Sequence, residues 1–148
     1  NSVLNIEFSI AEHFSVPLED ETADCAIEAW AFMAMKLFSD TPLKELYEHA
    51  ISEMMRVVKK ASPIILIESF GTCVEEPKES VLNSEINIWL EKDLKFTGEI
   101  IKTDYRFESV EEAVALMSLF FNADEIDFIK QKNNPIVPEY TGIWWKMK

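Results

Sequence analysis

The sequence predicts an α/β fold in which helices cover both faces of a sheet. Residues 63–67 form a continuous apolar run, which is typical of a parallel-sheet strand buried between helices. Residues 43–58 place apolar side chains at steps of three and four, which is the pattern of one buried helical face. Strand-like and helix-like segments alternate along the rest of the chain, and this alternation is typical of α/β proteins.

The first part of the chain predicts a loop, a short strand and a long helix. Residues 8–21 are mixed in character and contain Pro17, which predicts a loop. Residues 23–30 are mostly apolar, which predicts a buried strand. Thr41 and Pro42 predict a helix start, with the hydroxyl as cap and the proline at the first helical position. The buried face of this helix is predicted to comprise Leu43, Leu46, Tyr47, Ala50, Ile51, Met54, Val57 and Val58.

The middle of the chain predicts a buried strand, a loop and a second helix. The strand covers residues 63–67, and residues 68–72 form the loop at its carboxyl end. The helix covers residues 80–94. Its apolar face is predicted to comprise Leu82, Ile86, Trp89 and Leu90.

The last third of the chain predicts a strand, a helix and a final strand. Residues 99–107 predict the first of these strands, and residues 141–147 predict the last one. Ser109 and Glu112 have the spacing of a capping box, which predicts a helix start. The apolar stripe of this helix is predicted to comprise Val110, Ala113, Val114, Met117, Phe120 and Phe121. No segment has the character of a linker, so residues 1–148 are interpreted as one domain.

Composition and charge restrict the function. The 148 residues are 48% hydrophobic, which is enough for a core, and the longest apolar run is too short to span a bilayer. The net charge of −13 repels phosphate backbones and anionic lipid, which argues against a nucleic-acid or membrane-surface role. A small-molecule or protein partner is favoured, and a homo-oligomer is left open. No secretory signal is recognisable, which favours a cytoplasmic location.

The rarer residues argue against several kinds of site. Cys25 and Cys73 form no disulfide framework, and with His13 and His49 they supply no plausible zinc ligand set, so no metal site is expected. The three glycines lie far apart in the sequence. The chain therefore contains no glycine-rich loop for a phosphate or a dinucleotide.

Several segments, in order along nearly the whole chain, carry a resemblance to a known family. Residues 11–24 are similar to a run of the form A-E…L-P-x-x-D-x-x-x-D, and residues 53–59 are similar to E-x-x-R-V-L-K. Residues 68–72, 89–91, 103–107, 111–113 and 138–145 look like one bacterial subgroup of the same family. The chain thus resembles the C-terminal part of a class I S-adenosylmethionine-dependent methyltransferase. Lys60-Ala61-Ser62 departs from the family's Pro-Gly-Gly, so the left-handed positions of that turn are expected to be straightened.

The resemblance implies a doubly wound, mostly parallel Rossmann-like sheet with an antiparallel last strand. In the family the strand order is 3-2-1-4-5-7-6, and ligands bind where the order reverses. The family's glycine-rich cofactor loop lies upstream of the matched segments. The chain is therefore expected to lack the N-terminal half of the cofactor site, on the order of 60 residues or more, and to be inactive alone.

The resemblance also implies which residues face the cofactor, S-adenosylmethionine. Ala11 and Glu12 correspond to the residues that meet the adenine, and Glu28, Ala29 and Trp30 correspond to the end of the fourth strand. Glu68 ends the next strand at the same edge in this interpretation, and is assigned weakly to the substrate side. Tyr105 and Arg106 are assigned there weakly as well.

The side chains among these residues also have ordinary structural interpretations. For Trp30 we favour packing in the core over contact with the sulfonium. For Glu28 we favour a solvated carboxylate at the rim over a base. For His13 we favour a surface position, although a histidine could accept a proton from a substrate. Asp104 and Arg106, two residues apart on one strand, are expected to pair.

Two functions of different classes follow. The first is methyl transfer from S-adenosylmethionine to a small-molecule acceptor, for which no catalytic residue can be assigned. The alternative is a methyltransferase-like interaction module without catalysis. A glycine-rich loop upstream would favour the enzyme, and a degraded loop would favour the module.

Overall fold

The computed structural model of the chain describes residues 5–78 and 81–148, except for the side chains of residues 81–83. The predicted helix start at Ser80 and the predicted core position Leu82 therefore lie outside the described residues. The elements are β1 (Ala26–Ala29), a 3-10 helix (Met33–Phe38), α1 (Leu43–Val57), β2 (Pro63–Thr72), α2 (Val81–Lys92), β3 (Thr97–Lys102), β4 (Tyr105–Arg106), α3 (Val110–Met117), α4 (Ala123–Lys132), β5 (Ile136–Val137) and β6 (Glu139–Met147).

The strand order confirms the predicted α/β class. Four strands form one sheet in the order β1-β2-β6-β3, and β4 pairs with β5 in a separate two-stranded sheet. β6 runs antiparallel to β3, with Thr97 opposite Trp145 and Lys102 opposite Tyr140. The last strand therefore lies between two strands that precede it in sequence, and it is antiparallel as expected.

By internal contacts the chain divides into two compact units. The first unit comprises the described part of Asn1–Ile65 together with Lys146–Lys148, and the second comprises Leu66–Trp145. The interpretation of residues 1–148 as one domain remains a prediction. No helix among the described residues is long and apolar enough to cross a membrane.

In the first unit, α1 confirms the predicted buried face. All eight residues predicted for this face are buried. The predicted cap is wrong, because Pro42 occupies the cap position and no side chain caps the helix. Thr41 lies one residue too early to cap it. The turn before β2 also differs from expectation, since Ala61 keeps a left-handed φ of 57°.

Two predicted strands have different extents in the structure. β1 covers only four residues, and Ile27 within it is 62% exposed, so the prediction of a buried strand is wrong. β2 continues through residues 68–72, which were predicted to be a loop. Every second residue of β2, from Ile64 to Phe70, is buried, whereas Ile65 and Ile67 are only partly buried. This alternation carries the strand through the polar Glu68 and Ser69.

The second unit breaks one predicted strand and adds a helix. Residues 99–107 are divided between β3 and β4, because the Thr103 N–H donates to the Glu139 carbonyl and β4 turns to pair with β5. Asp104 pairs with Lys102 at 3.6 Å rather than with Arg106. The Ser109 hydroxyl accepts from the Glu112 N–H at 3.1 Å, which confirms the predicted helix start.

The apolar stripe predicted after Ser109 is too long. α3 ends at Met117, and Phe120 is 83% exposed. A separate helix, α4, follows and places Ile126 and Ile129 in the core. Its start is fixed by the Asn122 N–H, which donates to the Glu125 carboxylate at 3.1 Å.

Candidate functional site

Two neighbouring cavities lie in the first unit, and His13 and Ala31 line both of them. We call the first one the aromatic cavity. It has a volume of about 350 Å³ and is lined by Glu12, His13, Phe14, Ala31, Ala34, Met35, Phe38, Ser39 and Leu46. We call the second one the strand cavity. It has a volume of about 340 Å³ and is lined along β1 by residues 25–29 and by His13, Ala31 and Phe32, among others.

Glu28 shapes the turn that follows β1. It is 6% exposed, and its Oε1 accepts from the Ala31 N–H at 2.6 Å and from the Phe32 N–H at 3.0 Å. The interpretation of Glu28 as a solvated rim carboxylate is therefore wrong. The Glu28 carboxylate thus accepts hydrogen bonds from the second and third backbone amides after β1.

Trp30 lies at the tip of this turn rather than in the core. Its side chain is 56% exposed, and its backbone has a φ of 54°, a conformation that non-glycine residues rarely adopt. Packing in the core, which the sequence favoured, is wrong for Trp30. The residue is not among those that line either cavity. Strained backbone of this kind is enriched at functional sites.

A cluster of rings orients His13. The His13 ring lies edge-on to Phe32 at 5.7 Å between centroids, and Phe32 lies edge-on to Tyr47 at 5.3 Å. The His13 ring also lies edge-on to Phe14 at 6.5 Å, and the Phe14 ring lies edge-on to His49 at 5.8 Å. Glu28 at the end of β1 accepts from the Phe32 N–H, and the Phe32 ring contacts His13, so Phe32 connects the end of β1 to the loop that contains His13.

Glu53 and Arg56 of α1 fasten the loop that follows His13. The Arg56 guanidinium donates to the Leu18 carbonyl at 2.8 Å, to the Val16 carbonyl at 3.1 Å and to both Glu53 oxygens. Glu53 also accepts from the Val16 N–H at 2.7 Å. The hydrogen bonds from Arg56 and from Val16 lower the pKa of Glu53 to about 2. The Glu53–Arg56 ion pair therefore stays ionised and holds residues 16–18 against the C-terminal part of α1.

The structure brings some of the predicted cofactor residues to these cavities. Glu12 lines the aromatic cavity, and Glu28 and Ala29 line the strand cavity. Ala11 is exposed and lines neither. His13, which the sequence placed on the surface, is exposed but borders both cavities. Its position directly after the predicted adenine-side pair was the signal in the sequence.

The weakly assigned substrate-side residues belong to the second unit. Glu68 is 8% exposed and lies within β2 rather than at its end, so its predicted position is wrong. Tyr105 and Arg106 form β4 and pair with Val137 and Ile136. Neither of them lines the aromatic cavity or the strand cavity.

The second unit also contains the carboxyl group of Glu139, whose burial the sequence did not predict. Glu139 is 3% exposed, and its Oε1 accepts from the Ser69 hydroxyl at 2.9 Å. Burial raises the pKa of Glu139. Burial and the nearby charges of Glu125 and Glu139 also raise the pKa of the Cys73 thiol to about 11, which keeps this thiol protonated and unreactive.

No metal centre is apparent in the described part of the chain. No group of three or more histidine, cysteine or acidic side chains there could hold an ion. Both cysteines are free, Cys25 exposed and Cys73 buried.

Comparisons with known proteins identify the fold. No family model matches the sequence, and no curated protein matches it either. Among solved structures, the chain is similar to a candidate type II methyltransferase from Anaeromyxobacter dehalogenans at 12% identity, covering 99% of this chain and 74% of that protein, with a TM-score of 0.52. The resemblance implies the strand order 4-5-7-6 for this part of the family's sheet. The observed order β1-β2-β6-β3 is the same order in this chain's labels. The chain has the class I methyltransferase fold.

Two further solved structures with this methyltransferase fold are similar at lower scores. A candidate methyltransferase from Bacillus halodurans is 11% identical, with 97% of this chain and 72% of that protein covered and a TM-score of 0.48. An S-adenosylmethionine-dependent methyltransferase from Methanosarcina mazei is 14% identical, with 95% and 67% covered and a TM-score of 0.47. The chain spans 66% of the length of the similar MccD protein. The activity of the whole methyltransferase-fold protein is therefore a proposal.

Proposed function

We propose that the protein containing this chain transfers a methyl group from S-adenosylmethionine to a small-molecule acceptor. One observation carries this proposal. Three of the residues expected to face the cofactor lie at a pair of cavities that share His13 and Ala31: Glu12 lines the aromatic cavity, and Glu28 and Ala29 line the strand cavity. β1 corresponds to the fourth strand of the family's sheet. In a doubly wound sheet, ligands bind at the carboxyl end of this strand, where the strand order reverses.

The residues present fit one side of such a cofactor. The strand cavity offers apolar walls and the turn after β1, which suit a nucleoside and a thioether stem. Glu12, beside His13, supplies a carboxylate that suits the exocyclic amino group of the adenine. When bound, the cofactor supplies the electrophilic methyl group. The residues of this chain orient it and exclude water from the strand end, and positioning is most of what such a displacement needs.

Volume and charge support a small acceptor. Cavities of about 350 Å³ are at the lower end of the range for small-molecule sites. The net charge of −13 disfavours anionic polymers. A cytoplasmic location and a homo-oligomeric state remain parts of the proposal.

Calorimetry of the full-length protein with S-adenosylhomocysteine tests the proposal. Ala31→Phe should weaken binding at least tenfold, because the larger ring enters the space that both cavities share. Ala115→Phe is the matched control, since Ala115 is exposed on α3. Saturable binding that Ala31→Phe alone disrupts supports the proposal. A full-length protein that takes up no S-adenosylhomocysteine contradicts it and favours the interaction module.

A further inference from the structure

The aromatic cavity has the composition of an acceptor site of its own. Phe14, Met35, Phe38 and Leu46 give it apolar walls, and the polar groups are confined to Glu12, His13 and Ser39. Mostly apolar walls with a few convergent polar groups are typical of small-molecule sites. The strand cavity, in contrast, runs along β1 and has Glu28 and Ala29, two of the predicted cofactor residues, on its wall.

His13 stands between the two cavities with its nitrogens available. Among the residues that the structure describes, none makes a hydrogen bond to its ring, whereas the ring itself is held by Phe32 and Phe14 at 5.7 Å and 6.5 Å. An oriented imidazole on the boundary of two cavities can accept a proton from a ligand in one while a second ligand occupies the other.

We propose that the aromatic cavity holds a small, uncharged, aromatic or alicyclic acceptor whose hydroxyl donates a hydrogen bond to His13. This inference rests on the proposed methyl transfer. In the reaction, the acceptor oxygen forms a bond to the methyl carbon, and the carbon–sulfur bond of the sulfonium breaks with its electron pair on sulfur. The hydroxyl proton passes to a ring nitrogen of His13.

Two probes isolate the hydrogen bond, namely 2-naphthol and naphthalene, which differ by one hydroxyl group. The ratio of their affinities for the full-length protein should change by about five- to tenfold when His13→Phe removes the acceptor nitrogens. Phenylalanine keeps a ring against Phe32. His49→Phe is the matched control, because His49 contacts Phe14 but lines neither cavity. His13→Leu replaces the first variant if that one does not fold.

A second pair of variants locates the probes. Phe38→Ser should weaken both probes alike, since Phe38 is a wall of the aromatic cavity, whereas Phe120→Ser should leave both unchanged. The two phenylalanines are 86% and 83% exposed, so the substitutions are closely matched.

The outcomes separate this inference from the proposed function. An affinity ratio that changes in His13→Phe but not in His49→Phe supports the acceptor site. An unchanged ratio in His13→Phe, or equal weakening by Phe38→Ser and Phe120→Ser, overturns it. Titrations of the same preparations with S-adenosylhomocysteine are independent. If they fail beside an intact naphthol preference, methyl transfer is contradicted, and His13 binds a hydroxylated ring that is not a methyl acceptor.

Discussion

The stability of Trp30 variants distinguishes the exposed side chain of the structure from the buried side chain that the sequence predicts. Complete burial would make Trp30→Ala cost about 3–5 kcal/mol of the free energy of unfolding. Because the side chain is 56% exposed, we expect about half of that, near 2 kcal/mol. For a chain of this size the melting temperature should fall by about 4–8 °C.

The backbone of Trp30 makes a second, sharper prediction. At a φ of 54° any side chain is strained, and glycine is not. Trp30→Gly should therefore be more stable than Trp30→Ala by about 1 kcal/mol. At Ile27, an exposed position in β1 without a left-handed φ, the order should be reversed, because glycine weakens a strand by about 0.5–1 kcal/mol relative to alanine.

Urea unfolding of the polypeptide of residues 1–148, on which these exposures are defined, measures all four variants by far-ultraviolet circular dichroism. Fluorescence is unsuitable, since Trp89, Trp144 and Trp145 also emit. A loss of 4 kcal/mol or more in Trp30→Ala would place the side chain in the core. A Trp30→Gly variant less stable than Trp30→Ala would refute the strained turn.

Three further predictions concern other parts of the chain. Glu139→Gln should stabilise the protein increasingly as the pH rises from about 4 to 8: burial raises the pKa of this carboxyl, so its favourable contribution is present at low pH and is lost as the group ionises. Thermal melts at both ends of that range measure this. Gly142→Ala should cost about 1–3 kcal/mol in urea unfolding, because a Cβ there would overlap the ring of Trp144. Arg56→Gln should release the loop held by Glu53, seen as faster hydrogen exchange at the Val16 amide and weaker S-adenosylhomocysteine binding.

Much of the fold was predictable where one pattern governs a whole element. The steps of three and four in α1 identified its buried face in full, because one side of a helix faces the core in a regular rhythm. The helix start at Ser109 was predictable because a cap depends on local geometry. The position of the last strand came from the resemblance rather than from its own sequence.

Other features depend on tertiary contacts that no local pattern encodes. The sequence predicts Glu68 at the end of a strand, yet Glu68 occupies a buried position in the alternation of β2. Residues 99–107 were predicted as one strand because nothing local shows that the Glu139 carbonyl takes the Thr103 amide. Glu28 was assigned to the rim although its two amide partners are only three and four residues away, because a side chain that bonds to the backbone of a following turn leaves no periodic pattern in the sequence.

The central claim is that the cofactor binds beside His13 and Ala31, at the end of β1. The most direct measurement is a crystal structure of the full-length protein soaked or grown with S-adenosylhomocysteine. We expect ligand density in contact with residues 11–13 and 28–31. Bound ligand that touches neither segment would contradict it.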